Sequence, residues 1–308
     1  MESKVRNYSD ELFAKLADFY RETVGGIFHS TKKGHLFLEK ILQKPHFDPE
    51  QDLFIAEEGD KISGLLLIFS EFRIRRIVLN CHVHPNFPYE KVASALWEKG
   101  ISRCREMDGD KIHVSLHENF SAGRIFFAES GFAPVRVHVE LERDLKEPLI
   151  FNKGPEIGDV THFGEGDEPL LADIQNRIFT GSWGFSPNSA QEIEYYLDLT
   201  QCRVSDVLWL KDGDNSIGYL WAHASIGEDS AFKKGRIHMF GIVPEYQGRG
   251  LGKKLLSIGL GDLRDKEFKS VELTVDEANP PAFALYESSG FKEKFTSLWY
   301  EKSLSPKG

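Results

Sequence analysis

Residues 243–254 read VPEYQGRGLGKK, with Gly248, Gly250 and Gly252 at alternate positions. Before them, RIHMFGIVP (236–244) has the apolar content of a strand and stops at Pro244. After them, GLGKKLLSIGLGDLR (250–264) places Leu251, Leu255 and Ile258 at helical spacing, although Gly259 and Gly261 weaken the helix. A strand, a glycine-rich turn and a helix N-terminus together make an anion site. Backbone N–H groups converge there, and the helix dipole adds partial positive charge. Arg249, Lys253 and Lys254 supply formal charge suited to phosphate. Two familiar phosphate motifs are excluded. The nucleotide-triphosphate loop fails because Gln247 holds its first glycine position and Lys254 stands where Ser or Thr belongs. The dinucleotide fingerprint fails because Lys253 holds its last glycine position. What remains is Gln-x-x-Gly-x-Gly on Gln247, Gly250 and Gly252.

The surrounding plan is written twice. DLFIAEEGDKISGLLL (52–67) resembles DVLWLKDGDNSIGYLW (206–221), each reading strand, Gly-Asp turn, strand. SDELFAKLADFY (9–20) and GDEPLLADIQNRIF (166–179) both open on an acidic helix start. AESGF (128–132) matches ESSGF (287–291), and ERDL (142–145) matches EKSL (301–304). The offset drifts from 206 − 52 = 154 to 290 − 131 = 159, as loop insertions produce. The expected layout is therefore two tandem domains, 1–147 and 159–308. The linker at 148–158 is broken by Pro148, Gly154, Pro155 and Gly158.

Composition bounds the function classes. A chain of 308 residues, 41% hydrophobic and 28% charged, is an ordinary globular protein with two domains' worth of core. Its formal net charge of −10 argues against a general nucleic-acid or anionic-membrane surface. Cys81, Cys104 and Cys202 form no metal or redox spacing and are expected as free thiols in a reducing cytoplasm. The polar start MESKVRNYSDE and the short apolar run GLLLIF (64–69) give no signal peptide or membrane span. His82-x-His84 and the His113/His117 pair lack a third ligand, so no metal is expected. Glu165, Asp167 and Glu168 read as a solvated loop.

The Gln247-Gly250-Gly252 loop, together with LTVDEANPPAFALYESSGF (273–291), resembles the GCN5-related N-acetyltransferase (GNAT) family. The resemblance implies an α/β (α+β) fold of two GNAT-like domains, each a mixed, mostly antiparallel twisted sheet flanked by helices. It further implies that residues 247–253 (Gln247, Gly248, Arg249, Gly250, Leu251, Gly252, Lys253) wrap the pyrophosphate of acetyl-CoA. Asn279 would contact its pantetheine arm. The N–H groups of Ile242 and Val243 would contact the acetyl carbonyl. Tyr286 would protonate the departing thiolate, and its ordinary pKa of roughly 10 suits a donor. His238 on the strand and Asp276 at the end of the next strand are the two candidate bases, directly or through water. Phe179, Trp183 and Phe185, in FTGSWGFSP (179–187), lie where the family binds its acceptor.

Only the second half carries the motif. Registering Pro85 on Pro244 sets Pro88, Lys91 and Ala93 against Gln247, Gly250 and Gly252, and Phe127 falls opposite Tyr286. NFSAG (119–123) keeps an asparagine, shifted by one residue. The first half is thus expected to have lost cofactor binding and to serve as scaffold and pocket wall. The expected function is acetyl transfer from acetyl-CoA to a primary amine of a small molecule, by a monomer or homodimer, without nucleic-acid or membrane partners. The alternatives are a non-catalytic acyl-CoA-binding module and a protein or peptide N-acetyltransferase.

Overall fold

A computed structural model describes residues 3–23, 31–148, 158–200, 206–224 and 233–304, the side chains of 31–34 excepted. The expected linker, 148–158, falls largely outside these residues, and so does Cys202. Cys81 and Cys104 are free thiols. The chain forms two compact units. One runs to His138 and includes the residues from Thr296 onward; the other is Val139–Phe295.

The first unit contains β1 (Lys4–Asn7), α1 (Phe13–Thr23), α2 (Thr31–Leu42), α3 (Pro49–Asp52), β2 (Leu53–Glu58), β3 (Lys61–Glu71), β4 (Arg76–Val83), α4 (Tyr89–Glu106), β5 (Lys111–His117) and α5 (Ser121–Glu129). The strand β6 (Ala133–Asp144) leads into the second unit. There follow β7 (Asp159–His162), α6 (Glu168–Phe179), α7 (Ala190–Leu199), β8 (Val207–Asp212), β9 (Asn215–Ala224), β10 (Lys234–Ile242), α8 (Leu251–Asp265), β11 (Ser270–Asp276) and α9 (Pro280–Ser288). The last strand, β12 (Lys292–Ser303), ends in the first unit.

Strand order is β1-β2-β3-β4-β5-β12 in the first unit and β7-β8-β9-β10-β11-β6 in the second. Successive strands β1 to β4 and β7 to β10 pair antiparallel, and only β4–β5 and β10–β11 pair parallel among the described registers. The closing strand of each sheet is exchanged along the chain. The chain's final strand lies against β5, Ser297 opposite His117 through Ser303 opposite Lys111. The end of β6 neighbours β11.

The duplication holds at the level of backbone detail. The β2–β3 hairpin turns on Gly59 (φ +63°) and shifts register between Ala56 and Glu57. The β8–β9 hairpin turns on Gly213 (φ +57°) and shifts between Leu210 and Lys211. Both offsets are 154, as 210 − 56 and 213 − 59. Bulges are built features rather than accidents of pairing, so a repeated bulge records common descent of the halves.

Burial follows the strand period. In β3, Leu66 and Ile68 pack with Val92 and Leu96 of α4, while Leu65 and Leu67 pack with Leu16 and Phe19 of α1. A strand buried on both faces reads as a continuous apolar run, which is why GLLLIF is so hydrophobic. In the second unit Leu255, Leu256 and Leu260 of α8 join Leu220, Val271 and Leu273 in one core. Each such fully buried side chain contributes about 1.5–3 kcal/mol. No helix among the described residues is long and apolar enough to cross a membrane.

Candidate active site

The loop between β10 and α8 is held by its own polar atoms. Gln247 Nε2 donates to the Ile242 carbonyl at 2.8 Å, tying the loop to the strand end. Arg249 Nη2 donates to the Glu245 carbonyl at 2.9 Å, and its guanidinium lies 4.9 Å over the Tyr246 ring. Gly248 (φ +74°) and Gly250 (φ +77°) are left-handed, a conformation that only glycine adopts cheaply. Gly250 is the N-cap of α8 and supplies no side-chain acceptor, so the first N–H groups of the helix remain open. Gly252 differs. Its φ is not positive, and an added Cβ would meet Leu285 at 3.5 Å and Phe240 at 3.6 Å, ordinary contacts. Neither backbone conformation nor packing requires a glycine there.

Next to the loop the sheet opens. β10 pairs with β11 only over Lys234–Arg236, against Ser270–Glu272. Its pairing with β9 shifts register between Ile237 and Met239, which makes His238 the extra residue of a bulge. The Val243 N–H donates to the Ile217 carbonyl at 2.9 Å. Because successive N–H groups point to opposite edges of a strand, the Ile242 N–H faces the β11 side, beyond the end of that ladder.

The two faces of β10 carry different chemistry. Arg236 lies opposite His223, so Tyr219, Trp221 and His223 alternate onto one face of β9. The His238 ring lies on this face, 4.7 Å from Trp221, 5.9 Å from His223 and 6.1 Å from Tyr196 of α7. A Cβ on Gly241 would meet Ile178 of α6 at 2.4 Å, so α6 closes the same face. On the other face Phe240 lies 6.3 Å from the Tyr286 ring of α9. Burial lifts the Tyr286 phenol above its ordinary range, and it holds its proton firmly. Burial, with His223 and Arg236 nearby, pushes His238 down to about 3, so it is neutral at physiological pH. A neutral imidazole on one face and a protonated phenol on the other thus flank an open seam.

The acetyltransferase (GNAT) family profile matches residues 169–291, all within the second unit. The mycothiol acetyltransferase of Thermomonospora curvata is 30% identical over 208 residues, 65% of this chain and 67% of the relative. The chain belongs to the GNAT family. That of Acidothermus cellulolyticus is 27% identical over 273 residues, 83% and 80% of the two chains. Among solved structures, a tandem GNAT protein from the clavulanic acid biosynthesis pathway superposes over the full length of both chains, with a TM-score of 0.74 at 13% identity. As a GNAT protein, this chain is an acetyltransferase enzyme built on a tandem version of the fold.

Within the GNAT frame, the expected site residues occupy these places. Gln247 through Lys253 form the loop and the first turn of α8, with Leu251 buried beneath it. Asn279 is the N-cap of α9, its Oδ1 accepting from the Ala282 N–H at 3.2 Å, which leaves its amide nitrogen as the donor end. Ile242 and Val243 are both buried, but Val243 spends its N–H on Ile217, so of the two only the Ile242 N–H faces the seam. Asp276 alternates with Glu272 and Thr274 onto the His238 face. One of its carboxylate oxygens accepts from the Ala278 N–H at 3.0 Å and shapes the turn. Phe179 ends α6 and packs 5.4 Å from Phe185, with Trp183 half-buried in the turn between them. Asn176 clamps that turn through two hydrogen bonds to Asn188, at 2.9 and 2.8 Å.

The first unit keeps the open seam but not the loop. β4 and β5 pair only over Arg76–Leu79 and Lys111–Val114. Helix α4, however, begins at Tyr89, which corresponds to Gly248 at the offset of 159; its counterpart α8 begins at Leu251. The helix has wound through the phosphate-loop positions. Lys91 sits in its first turn and pairs with Glu58 at 2.9 Å, Ala93 is buried, and Phe127 is packed against Phe126 and Phe132.

Sequence reasoning missed His223, Trp221 and Tyr196, as well as the ion-pair network beside them. Arg236 meets Glu140 at 2.7 Å and Glu272 at 3.2 Å, and donates to Thr274 Oγ1 at 2.6 Å. The alternation Tyr219, Trp221, His223 was the available signal, but only the pairing with β10 shows which face it joins.

Proposed function

We propose that the protein transfers an acetyl group from acetyl-CoA to a primary amine of a small molecule by direct attack, with the donor bound in residues 159–308 and the 1–147 half degenerate. The observation that carries this reading is the open β10–β11 seam, with His238 on one face, Tyr286 on the other and the glycine loop at its end. When bound, acetyl-CoA supplies the acetyl group and a thiolate leaving group. The N–H groups of Gly248 through Gly252 and the cations Arg249 and Lys253 hold its phosphates, helped by the α8 dipole. The amide of Asn279 holds the amide-rich arm. The Ile242 N–H polarises the carbonyl.

The amine attacks through its neutral form, and its nitrogen turns acidic as the N–C bond forms. The two candidates to take that proton, directly or through water, are His238, neutral and half-buried on the acceptor face, and Asp276, at the end of β11. Tyr286 serves the thiolate. Its raised pKa lies above the roughly 8.5 of a thiol, so it acts chiefly by hydrogen-bond donation as charge develops. Phe179, Trp183 and Phe185 line the acceptor side. The names of the mycothiol acetyltransferase relatives support a small-molecule acceptor, and the free Cys81 and Cys104 support a reducing, cytoplasmic setting.

The test is thiol release from acetyl-CoA in the presence of small primary amines. Amine-dependent release that collapses in Tyr286→Phe supports the reading. Acetyl-CoA binding with no release for any small amine would favour a non-catalytic module, or a protein or peptide acceptor.

A further inference from the structure

His223 is 4% exposed, and its Nδ1–H donates to the Ala224 carbonyl at 2.7 Å. That bond fixes the tautomer, so Nε2 carries a bare lone pair. This buried Nε2 has no hydrogen-bond partner, and neither does the indole Nε1 of fully buried Trp221 on the same face. A buried polar atom without a partner costs about 1–3 kcal/mol, and each one calls for an explanation, a missing ligand among them. The His238 ring lies 5.9 Å from that of His223, and its nitrogens have no partner among the described residues.

We propose that His223 and His238 form a pair of neutral imidazoles that receives the acceptor's amino group between them, His238 taking its proton and His223 positioning it. This rests on the acetyltransferase reading above and deepens it. The two rings lie 5.9 Å apart at a tilt of 53°, and the unpartnered Nε2 of His223 offers an acceptor to an amine N–H beside His238. The proton moves as the neutral amine attacks: its N–C bond forms, the nitrogen turns acidic, one of its N–H bonds breaks with the electron pair left on nitrogen, and an N–H bond forms on His238. Both rings are kept neutral by burial and by Arg236 on β10, whose charge is itself balanced by Glu140 on β6 and Glu272 on β11. Asp206, before β8, and Tyr196, on α7, complete the polar groups facing the pair. His223 is a positioning residue, because the proton goes to its neighbour.

The experiment is an NMR titration of ¹⁵N-labelled imidazoles in the full-length protein, with methylammonium chloride as the probe. The expected result is one binding curve shared by His223 and His238. In His223→Gln, methylammonium should bind about tenfold more weakly and His238 should titrate at higher pH. A merely structural His223 would leave the methylammonium affinity unchanged, and a rise in the His238 titration alone would follow simply from removing the neighbouring ring. If His223→Gln does not fold, His238→Gln is the second variant: it should abolish the shared curve and leave His223 unshifted by the probe. Shifts at His238 alone, unaltered by His223→Gln, or shifts at neither ring, overturn the proposal. The imidazole readout does not depend on turnover. A shared curve in a protein that releases no thiol from acetyl-CoA therefore sinks the functional reading and leaves the pair standing.

Discussion

In the proposed mechanism, Tyr286 is the residue on which thiolate release depends. Its phenol is buried against Phe240 and Phe291 and retains its proton to high pH. Removing the hydroxyl while keeping the ring leaves the core filled, so Tyr286→Phe should fold normally and bind acetyl-CoA unchanged. Steady-state kinetics should show kcat lower by about 10²-fold, the lower end for a lost proton donor. An unchanged kcat would remove Tyr286 from the chemistry. A second residue-scale prediction concerns acid stability. Burial pushes His82 down to about 4 and His238 to about 3, whereas an unfolded histidine titrates near roughly 6.5. Between those values the unfolded chain binds protons that the native state refuses, so stability rises with pH through this window. It is fully present above roughly pH 6.5 and lost as pH falls toward 4. His238→Gln should therefore narrow the gap between urea midpoints measured at about pH 4.5 and about pH 7.5. Equal gaps in both proteins would show that the His238 ring is already protonated in the native state.

At the scale of elements, the two glycines that open α8 separate folding from binding. Gly250 is left-handed at φ +77°, so Gly250→Ala should cost about 1–2 kcal/mol in urea unfolding. Gly252 is helical, and a Cβ there would touch its neighbours only at ordinary distances. Gly252→Ala should leave stability equal or improve it by up to about 1 kcal/mol, yet weaken acetyl-CoA binding in calorimetry. Undiminished affinity would mean that the ligand does not approach this turn. These glycines were legible in sequence because their spacing is local, and so was the Asn279 cap ahead of α9. Their conformational needs were not legible: of the three loop glycines only Gly248 and Gly250 have positive φ. The assignment of Val243 to the carbonyl also fails, because which N–H faces the seam depends on the β9–β10 hydrogen-bond register. The bulge at His238 and the early end of the β10–β11 ladder are likewise pairing facts between strands distant in sequence. No local pattern announces them, and they are what bring His223 to His238.

At the scale of the whole molecule, the halves repeat the β2–β3 and β8–β9 hairpins with their bulges and the short parallel ladders, and among their differences is one turn of one helix. α4 starts three residues early relative to α8, so the first unit has helix where the second has its glycine loop. The repeat was readable from four short matches. The exchange of closing strands was not, since nothing local in β6 or β12 dictates which strand it lies beside. The central claim is that one donor site, built by the glycine loop of the second unit, serves the whole chain. Calorimetric titration with acetyl-CoA, on the natural protein and on Gly250→Glu, tests it most directly. The account predicts one site per chain, abolished by a carboxylate placed among the phosphate-binding N–H groups. Two sites, or one site that survives Gly250→Glu, would contradict it.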